Sequence, residues 1–120
     1  MSDDLQRRQY VRVVVSFPVE FALENEPSSH WGSMLDLGAG GMRLVSSHDL
    51  PARSIIKLKF GLPGTERTME LRGVIVLSFF TRTEQKFHHG IAFTSIDPHD
   101  RLAISEFVEN RALERGRETK

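Results

Sequence analysis

The chain has 120 residues, with 16 basic and 16 acidic side chains and therefore no formal net charge. This length favours one domain with a sufficient core, and the absence of cysteine excludes a disulfide framework and a thiolate metal site. The neutral total disfavours broad binding to a nucleic-acid polymer, and no apolar run approaches the length of a membrane span. We therefore expect a cytoplasmic protein without membrane insertion.

A cluster of three arginines precedes the first hydrophobic stretch. Arg7, Arg8 and Arg12 lie within six residues with no acidic side chain among them, after a polar segment, residues 1–6, that we expect to be flexible. Like charges repel unless an anion or a carboxylate lies among them, and the planar guanidinium binds phosphate with two parallel hydrogen bonds. The cluster indicates either an anion-binding arm or a solvated basic flank.

Residues 11–23 alternate between apolar and other side chains, which is typical of a strand with one buried face. The apolar positions are Val11, Val13, Val15, Phe17, Val19, Phe21 and Leu23. Pro18 cannot donate a hydrogen bond to a neighbouring strand. We therefore expect this strand to lie at an edge, or to bend or bulge, at the proline.

A glycine-rich corner separates the next two predicted strands, residues 30–37 and 42–45. Its glycines are Gly38, Gly40 and Gly41, a composition that disfavours a helix and predicts a tight connection with one or more residues at positive φ. Asp36 directly precedes this corner. Its carboxylate either bonds to the backbone of the turn or faces a ligand, because glycines let a bound group approach the main chain and its N–H donors.

Three further strands and a helix follow. The strands are predicted over residues 54–60, 69–79 and 86–93. The helix is predicted to begin at Pro98 with Asp97 as its N-cap and to end at Gly116. We expect residues 7–115 to form the domain and residues 116–120 a tail. The pattern predicts an all-β fold with one terminal helix, a six-stranded antiparallel β-barrel whose C-terminal α-helix covers one opening or edge.

Several orientations follow from the alternation near the end of the chain. Leu77 is predicted on the same face of its strand as Ile75, His89 in the core and His88 on the surface. Phe79 and Phe80 are adjacent, so one of them is expected to face outward. We expect the terminal helix to cover that residue, and the alternative is a partner-binding patch.

No pattern in the sequence supports catalysis or metal binding. The chain lacks a G-x-S-x-G motif, a P-loop and a cysteine nucleophile. Its two adjacent histidines point to opposite faces of a strand and cannot chelate one metal together. We therefore predict a binding module that is not an enzyme and that uses neither metal nor cofactor.

Arginines combined with an aspartate in a glycine turn suit a guanine nucleotide. Guanine offers two adjacent donors, N1–H and N2–H, to the acceptor-only carboxylate of Asp36. On its other edge O6 and N7 accept hydrogen bonds from an arginine fork. The residues thus predict a candidate guanine site, although the same residues also fit a structural turn beside a basic flank.

The order and spacing of these residues resemble those of the PilZ domain family. The two stretches that resemble the RxxxR and D/N-x-S-x-x-G motifs of this family are Arg7-Arg8-x-x-x-Arg12 and Asp36-x-Gly38-x-x-Gly41. Residues 89–93, followed by the helix from Pro98, are similar to the last strand and terminal helix of the family. The likeness covers about residues 6–115.

The resemblance implies a receptor for cyclic di-GMP. By that likeness Arg8 and Arg12 hold phosphate and guanine, Asp36 meets a guanine edge, Gly41 permits the turn, and Arg7 can engage a second ligand molecule. Ligand binding would fold the arginine-bearing arm over the barrel. The signal would then pass to a separate effector protein.

Gly38 departs from the family motif, which has serine at this position. The lost hydroxyl contact is expected to weaken binding by about 0.5–1.5 kcal/mol, roughly threefold to tenfold. The departure leaves open a degenerate PilZ-like adaptor that binds proteins and no nucleotide. A third alternative, an RNA-binding barrel, is disfavoured by the neutral charge and by the lack of an evident aromatic stacking platform.

Overall fold

Six strands and one helix make up residues 11–118, the part of the chain that the computed structural model describes. They are β1 (Arg12–Leu23), β2 (His30–Gly38), β3 (Gly41–Ser46), β4 (Ile55–Gly61), β5 (Thr68–Thr81), β6 (Lys86–Ser95) and α1 (Pro98–Glu118). The strands close into a barrel in the order β1-β2-β3-β6-β5-β4, and all neighbours are antiparallel. The predicted fold class, a six-stranded antiparallel barrel with a C-terminal helix, is confirmed.

Alternating side chains of the strands fill the interior of the barrel. Four of the predicted apolar positions of β1 are buried, namely Val13, Val15, Val19 and Phe21. Val11 is 43% exposed because it precedes the first residue of the strand. α1 packs against β1 and β2, where its buried Ile104 and Val108 join the hydrophobic core. Each fully buried side chain of this size contributes about 1.5–3 kcal/mol.

Pro18 lies in the part of β1 that pairs with only one other strand of the described chain. β1 pairs with β2 between Arg12 and Phe21, but its pairing with β4 begins at Glu20. The missing N–H of the proline therefore removes no bond to β4. The predicted edge position of Pro18 is confirmed.

A β-bulge in β5 changes the orientation of the residues that follow it. Ile75 pairs with Ile91 and Leu77 with Gly90, so that Val76 is the extra residue. One inserted residue shifts the alternation by one position, and Leu77 is accordingly 51% exposed. The prediction that Leu77 lies on the same face as Ile75, which is fully buried, is wrong.

The start of α1 agrees with its predicted N-cap. The carboxylate of Asp97 accepts a hydrogen bond from the backbone N–H of His99 at 2.7 Å, and this bond lowers the pKa of Asp97. The predicted end at Gly116 is wrong, because α1 continues to Glu118. A glycine inside a helix costs only about 1 kcal/mol relative to alanine, which neighbouring good helix formers can offset.

Both histidines of β6 are buried. His89 is fully buried in the interior as predicted, but His88, which was predicted on the surface, is only 6% exposed. Phe79 covers His88, since the two rings stack with centroids 4.6 Å apart and 12° between their planes. Phe79 and Phe80 are themselves 42% and 45% exposed, so the prediction that the helix covers one of them is wrong.

His89 is expected to make the stability of the fold depend on pH. Its Nε2 accepts a hydrogen bond from the backbone N–H of Leu50 at 3.2 Å, and burial lowers the pKa of His89 below its ordinary value of 6.5. Below that value the unfolded chain binds a proton that the folded chain excludes. The stabilisation is therefore complete above about pH 6.5 and falls below it, by up to about 1.4 kcal/mol per pH unit.

Urea unfolding at about pH 7.5 and about pH 5.5 measures this loss. His89→Gln keeps an acceptor for the Leu50 N–H but does not titrate, so we expect its loss of stability on acidification to be smaller than that of the wild type. His99→Gln is the control, because it changes a side chain that is 84% exposed and loses only a surface pair with Asp97, from Nδ1 to Oδ1 at 3.4 Å, which contributes at most about 1 kcal/mol. It should lose stability on acidification nearly as much as the wild type does. Equal acid sensitivity in His89→Gln and the wild type would contradict the assignment.

Candidate functional site

A second β-bulge, near the end of β2, turns Asp36 outward. The register between β2 and β3 shifts between Met34 and Asp36, which leaves Leu35 as the extra residue. Strict alternation from the buried Met34 would point Asp36 into the core. With the bulge, Leu37 is buried instead, and the Asp36 side chain lies on the outer face with 21% exposure. An unpaired carboxylate in the apolar interior would be strongly unfavourable. The bulge therefore makes Asp36 available for a surface site.

Asp36 lies between two arginine side chains. Arg12 Nη1 donates a hydrogen bond to Oδ1 at 3.2 Å, and Arg43 Nε lies 3.8 Å from Oδ2. Arg12 and Arg43 are 36% and 37% exposed, and ion pairs of this kind contribute about 0–1 kcal/mol. A ligand with stronger contacts can therefore rearrange them. The three charges sum to +1, which favours an anionic ligand.

The strand register arranges the site in two rows on the outer face of the barrel. One row contains Val14, Asp36, Arg43, Gly90 and Leu77, and the next contains Arg12, Gly38, Gly41, Ala92 and Val74. Side chains of directly paired residues project to the same side of a sheet. The surface thus has charged groups at one side, apolar groups at the other, and a floor of glycines and alanine between them.

Gly38 and Gly41 are required because other parts of the chain lie directly against them. A Cβ at Gly38 would meet the carbonyl oxygen of Val11 and would lie 2.9 Å from Arg12 Cγ. A Cβ at Gly41 would meet the carbonyl oxygen of Ile91 and would lie 2.9 Å from Arg12 Nη2. The Arg12 side chain therefore extends across both glycines, from the start of β1 toward the carboxylate.

The corner between β2 and β3 does not have the predicted backbone conformation. It is a two-residue connection, Ala39-Gly40, between the paired Gly38 and Gly41. None of its residues has a positive φ, so that prediction is wrong. The Phe93 N–H donates to the Gly40 carbonyl at 2.9 Å and fastens the corner to β6. Close approach of neighbouring strands, rather than left-handed backbone, explains why glycine occupies Gly38 and Gly41.

Arg43 belongs to the site although it was not among the predicted site residues. Its guanidinium carbon lies 5.6 Å from the centroid of the Phe79 ring, within the range of a cation–π contact. Arg43 follows Gly41 by two residues, and this spacing placed it on the same face of the strand. The contribution of Phe79 could not be read from the sequence, because Phe79 reaches Arg43 only through the pairing of β3, β6 and β5.

Four of the predicted site residues come together in the structure. Arg12, Asp36, Gly38 and Gly41 occupy the paired ends of β1, β2 and β3. Arg7 and Arg8 lie outside the described residues. Their roles remain predictions from the motif.

Residues 11–118 contain no group of three or more histidine, aspartate or glutamate side chains placed to hold a metal ion. In the same range, α1 lacks the combination of length and apolar character needed to cross a bilayer.

The match to a family model identifies the class of protein. The PilZ domain model matches residues 6–110, and the chain therefore belongs to the PilZ domain family. The match includes both motifs and all six strands. A comparison with curated proteins found no match.

Solved structures share this fold. The Bacillus subtilis inhibitor of motility MotI/DgrA is 24% identical with a TM-score of 0.79, over 91% of this chain and 53% of that one. The PilZ domain of Escherichia coli YcgR with c-di-GMP is 14% identical with a TM-score of 0.64, over 95% and 98%. Borreliella burgdorferi PlzA in complex with c-di-GMP is 12% identical with a TM-score of 0.61, over 94% and 56%. At these identities the likeness establishes the fold, and this chain spans about half the length of MotI/DgrA and PlzA.

Restoring the serine of the family motif is expected to destabilise this protein. In Gly38→Ser the new Cβ would meet the backbone carbonyl of Val11, and backbone cannot move aside as a flexible side chain can. Such overpacking typically costs about 1–3 kcal/mol, which a urea unfolding curve resolves.

Gly61→Ser is the matched control, because a Cβ at Gly61 has no atom within 4 Å. It should unfold like the wild type. A Gly38→Ser variant as stable as Gly61→Ser would contradict the close approach of β1 to the corner.

Proposed function

We propose that this protein is a receptor for cyclic di-GMP that acts as a non-enzymatic adaptor and passes the signal to a separate effector protein. The observation that carries the proposal is the position of Asp36, whose carboxylate lies outside the barrel, 3.2 Å from Arg12 and beside the glycine floor. Membership of the PilZ family and the c-di-GMP complexes of its structural relatives YcgR and PlzA support it.

Each group at the site has a role that its chemistry allows. The carboxylate of Asp36 accepts from N1–H and N2–H of one guanine, because an ionised carboxylate has several acceptor positions and Arg12 and Arg43 occupy only part of them. The fork of Arg12 turns from Asp36 to phosphate or to guanine O6 and N7. The floor formed by Gly38 and Gly41 lets a flat base lie close to the main chain.

We assign Arg8, the first arginine of the RxxxR motif, and Arg7, the extra arginine that precedes it, to the same ligand surface. Arg8 holds phosphate together with Arg12, and Arg7 engages a second ligand molecule where two bind. Charge-assisted contacts contribute about 1.5–3 kcal/mol each, whereas the Arg12–Asp36 pair that is rearranged contributes at most about 1 kcal/mol. Replacing the Arg12–Asp36 pair with contacts to the ligand therefore favours the liganded state. In this state the N-terminal arm changes conformation and presents a new surface to an effector.

A specific observation favours the second candidate, an adaptor that binds proteins and no nucleotide. The Asp36 carboxylate already has two arginine partners, and Val11 and Arg12 occupy the space where the serine of the family motif would project from Gly38. This arrangement would be complete without a ligand. The intact Arg8-x-x-x-Arg12 motif favours the first candidate.

Calorimetric titration of cyclic di-GMP into the purified full chain distinguishes the two candidates. The receptor proposal requires saturable binding, with one or two ligand molecules per protomer and much weaker binding of cyclic di-AMP. No binding of cyclic di-GMP at about 1 mM, a concentration that would reveal an affinity of only about −4 kcal/mol, would overturn it and leave the nucleotide-free adaptor.

A further inference from the structure

The last part of β5 pairs with only one other strand of the described chain. β4 pairs with β5 as far as Val74, and Arg53 and Ser54 extend this contact to Ile75 through two backbone hydrogen bonds. Residues 77–81 pair with β6 only, and within residues 11–118 no other backbone group bonds to them. Every second residue of an antiparallel strand directs its N–H and C=O away from a given neighbour. The segment after Ile75, here named the open edge, therefore presents backbone donors and acceptors that no group of residues 11–118 binds.

The open edge is also the most apolar exposed segment of the described chain. Val76 is 64% exposed, Leu77 51%, Phe79 42% and Phe80 45%. Isolated exposed hydrophobic residues are ordinary on protein surfaces, but four large ones within five residues along one strand are not. The helix of the described chain does not cover them, since α1 packs against β1 and β2.

The sequence of the open edge lacks most of the devices that protect exposed strands. Residues 73–81 contain no charged residue and no proline, the features that usually prevent one edge from pairing with another. The bulge at Val76 adds twist at the start of the edge but leaves five paired residues beyond it. An edge of this length can accept an added strand.

The charges around the open edge define the occupant. Arg53 is exposed where the pairing with β4 ends. At the other end Arg82 is exposed in the turn and Lys86 at the start of β6. Glu84, an exposed acid in the same turn, offsets one of these two charges, so that Arg82, Lys86 and Glu84 leave a net charge of +1 at this end. Cations at both ends of an uncharged strand are complementary to a segment with acidic ends and an apolar centre.

We propose that the open edge of β5 is a docking site for an extended segment of a partner protein, which adds to the barrel as a further strand. The segment has alternating apolar side chains that cover Val76, Leu77 and Phe79, and acidic residues that meet Arg53 and Arg82. Backbone hydrogen bonds supply affinity, and the apolar and acidic positions supply selectivity. This inference does not depend on nucleotide binding.

Selection from a displayed library of random nine-residue peptides against the full chain tests the proposal. The enriched peptides should alternate apolar residues and carry Asp or Glu at their ends. In fluorescence anisotropy they should bind Val76→Lys and the double variant Arg53→Glu/Arg82→Glu at least about tenfold more weakly than the wild type, because a lysine blocks the edge and the glutamates repel the ends. Backbone amides of residues 76–82 should show the largest NMR shifts on binding.

Leu102→Lys is the matched control, because Leu102 is 58% exposed on α1, away from the open edge. It should bind the selected peptides as the wild type does. If Val76→Lys fails to fold, the double variant, which changes two exposed arginines, still decides the result. Absence of enriched peptides, or equal binding by both edge variants and the control, overturns the proposal. So does a wild-type dimer that Val76→Lys dissociates, because the occupant would then be a second copy of this chain.

Discussion

Replacing Arg12 with alanine is expected to weaken cyclic di-GMP binding by about 10- to 150-fold. The estimate corresponds to one lost charge-assisted contact of about 1.5–3 kcal/mol. Arg12 is the described arginine whose side chain both crosses the glycine floor and reaches Asp36. The substitution also removes the exposed Arg12–Asp36 ion pair, so the free energy of unfolding should change by about 1 kcal/mol or less. Calorimetric titration measures the affinity, and thermal unfolding verifies the fold.

Arg101→Ala is the control for Arg12→Ala, because Arg101 is an exposed arginine on α1. Its affinity should equal that of the wild type. Arg8→Ala should lose affinity to a similar extent, because the proposal assigns Arg8 to the same phosphate. Wild-type affinity in both Arg8→Ala and Arg12→Ala would show that the arginine motif does not bind the ligand.

Replacing Asp36 with alanine should mainly reduce the preference for guanine. The variant loses the carboxylate that accepts N1–H and N2–H, and paired contacts to a base edge contribute about 1–3 kcal/mol of discrimination. The ratio of affinities for cyclic di-GMP and cyclic di-AMP should therefore fall roughly 5- to 150-fold. Because Arg12 and Arg43 also lose their carboxylate partner, the attraction of the site for phosphate should persist. Parallel titrations with both dinucleotides measure the ratio.

Two further variants make the Asp36 result specific. Asp36→Asn keeps one carbonyl acceptor in the same place and should show an intermediate ratio, as the D/N alternation of the motif implies. Glu66→Ala removes an exposed acid from the β4–β5 turn and should leave the ratio unchanged. If Asp36→Ala rejects cyclic di-AMP as strongly as the wild type does, Asp36 does not read guanine.

Arg43 connects the candidate nucleotide site with the open edge. Its guanidinium lies beside Asp36 in one direction and over Phe79 in the other. A ligand that takes the carboxylate from Arg43 would change the contact with Phe79, one of the exposed residues of β5. The two proposed surfaces therefore adjoin at Arg43 and also share Leu77, although each is tested separately.

Local patterns were sufficient to predict most of the fold. Alternation of apolar residues located the strands, and Asp97 followed by Pro98 located the start of the helix, because both signals arise within a few residues of sequence. Pro18 was correctly predicted to lie where β1 lacks a second strand neighbour, because the missing N–H of proline is also a local signal. Arg12, Asp36, Gly38 and Gly41 were chosen from their types and spacing, and the fold brings these four together.

The errors lie where contacts between distant residues override the local pattern. Leu77 faces outward because a bulge shifts the register of β5 against β6. His88 is buried because Phe79, nine residues away, stacks on it. The glycines of the corner have no positive φ, and their need for a small side chain comes from Val11, Arg12 and Ile91.

The sequence by itself determined where the strands lie along the chain, where the capped terminal helix begins, and which arginine and aspartate residues are candidates for the site. These depend on side-chain type and on periodicity, which a single chain displays directly. Only the tertiary structure decided that Asp36 points outward, because a one-residue bulge opposite β3 selects the face of the barrel that its carboxylate occupies. The same pairing brought Arg43 and Phe79 into the site and left the end of β5 paired with β6 alone among the described strands, since register between strands is a property of the closed barrel.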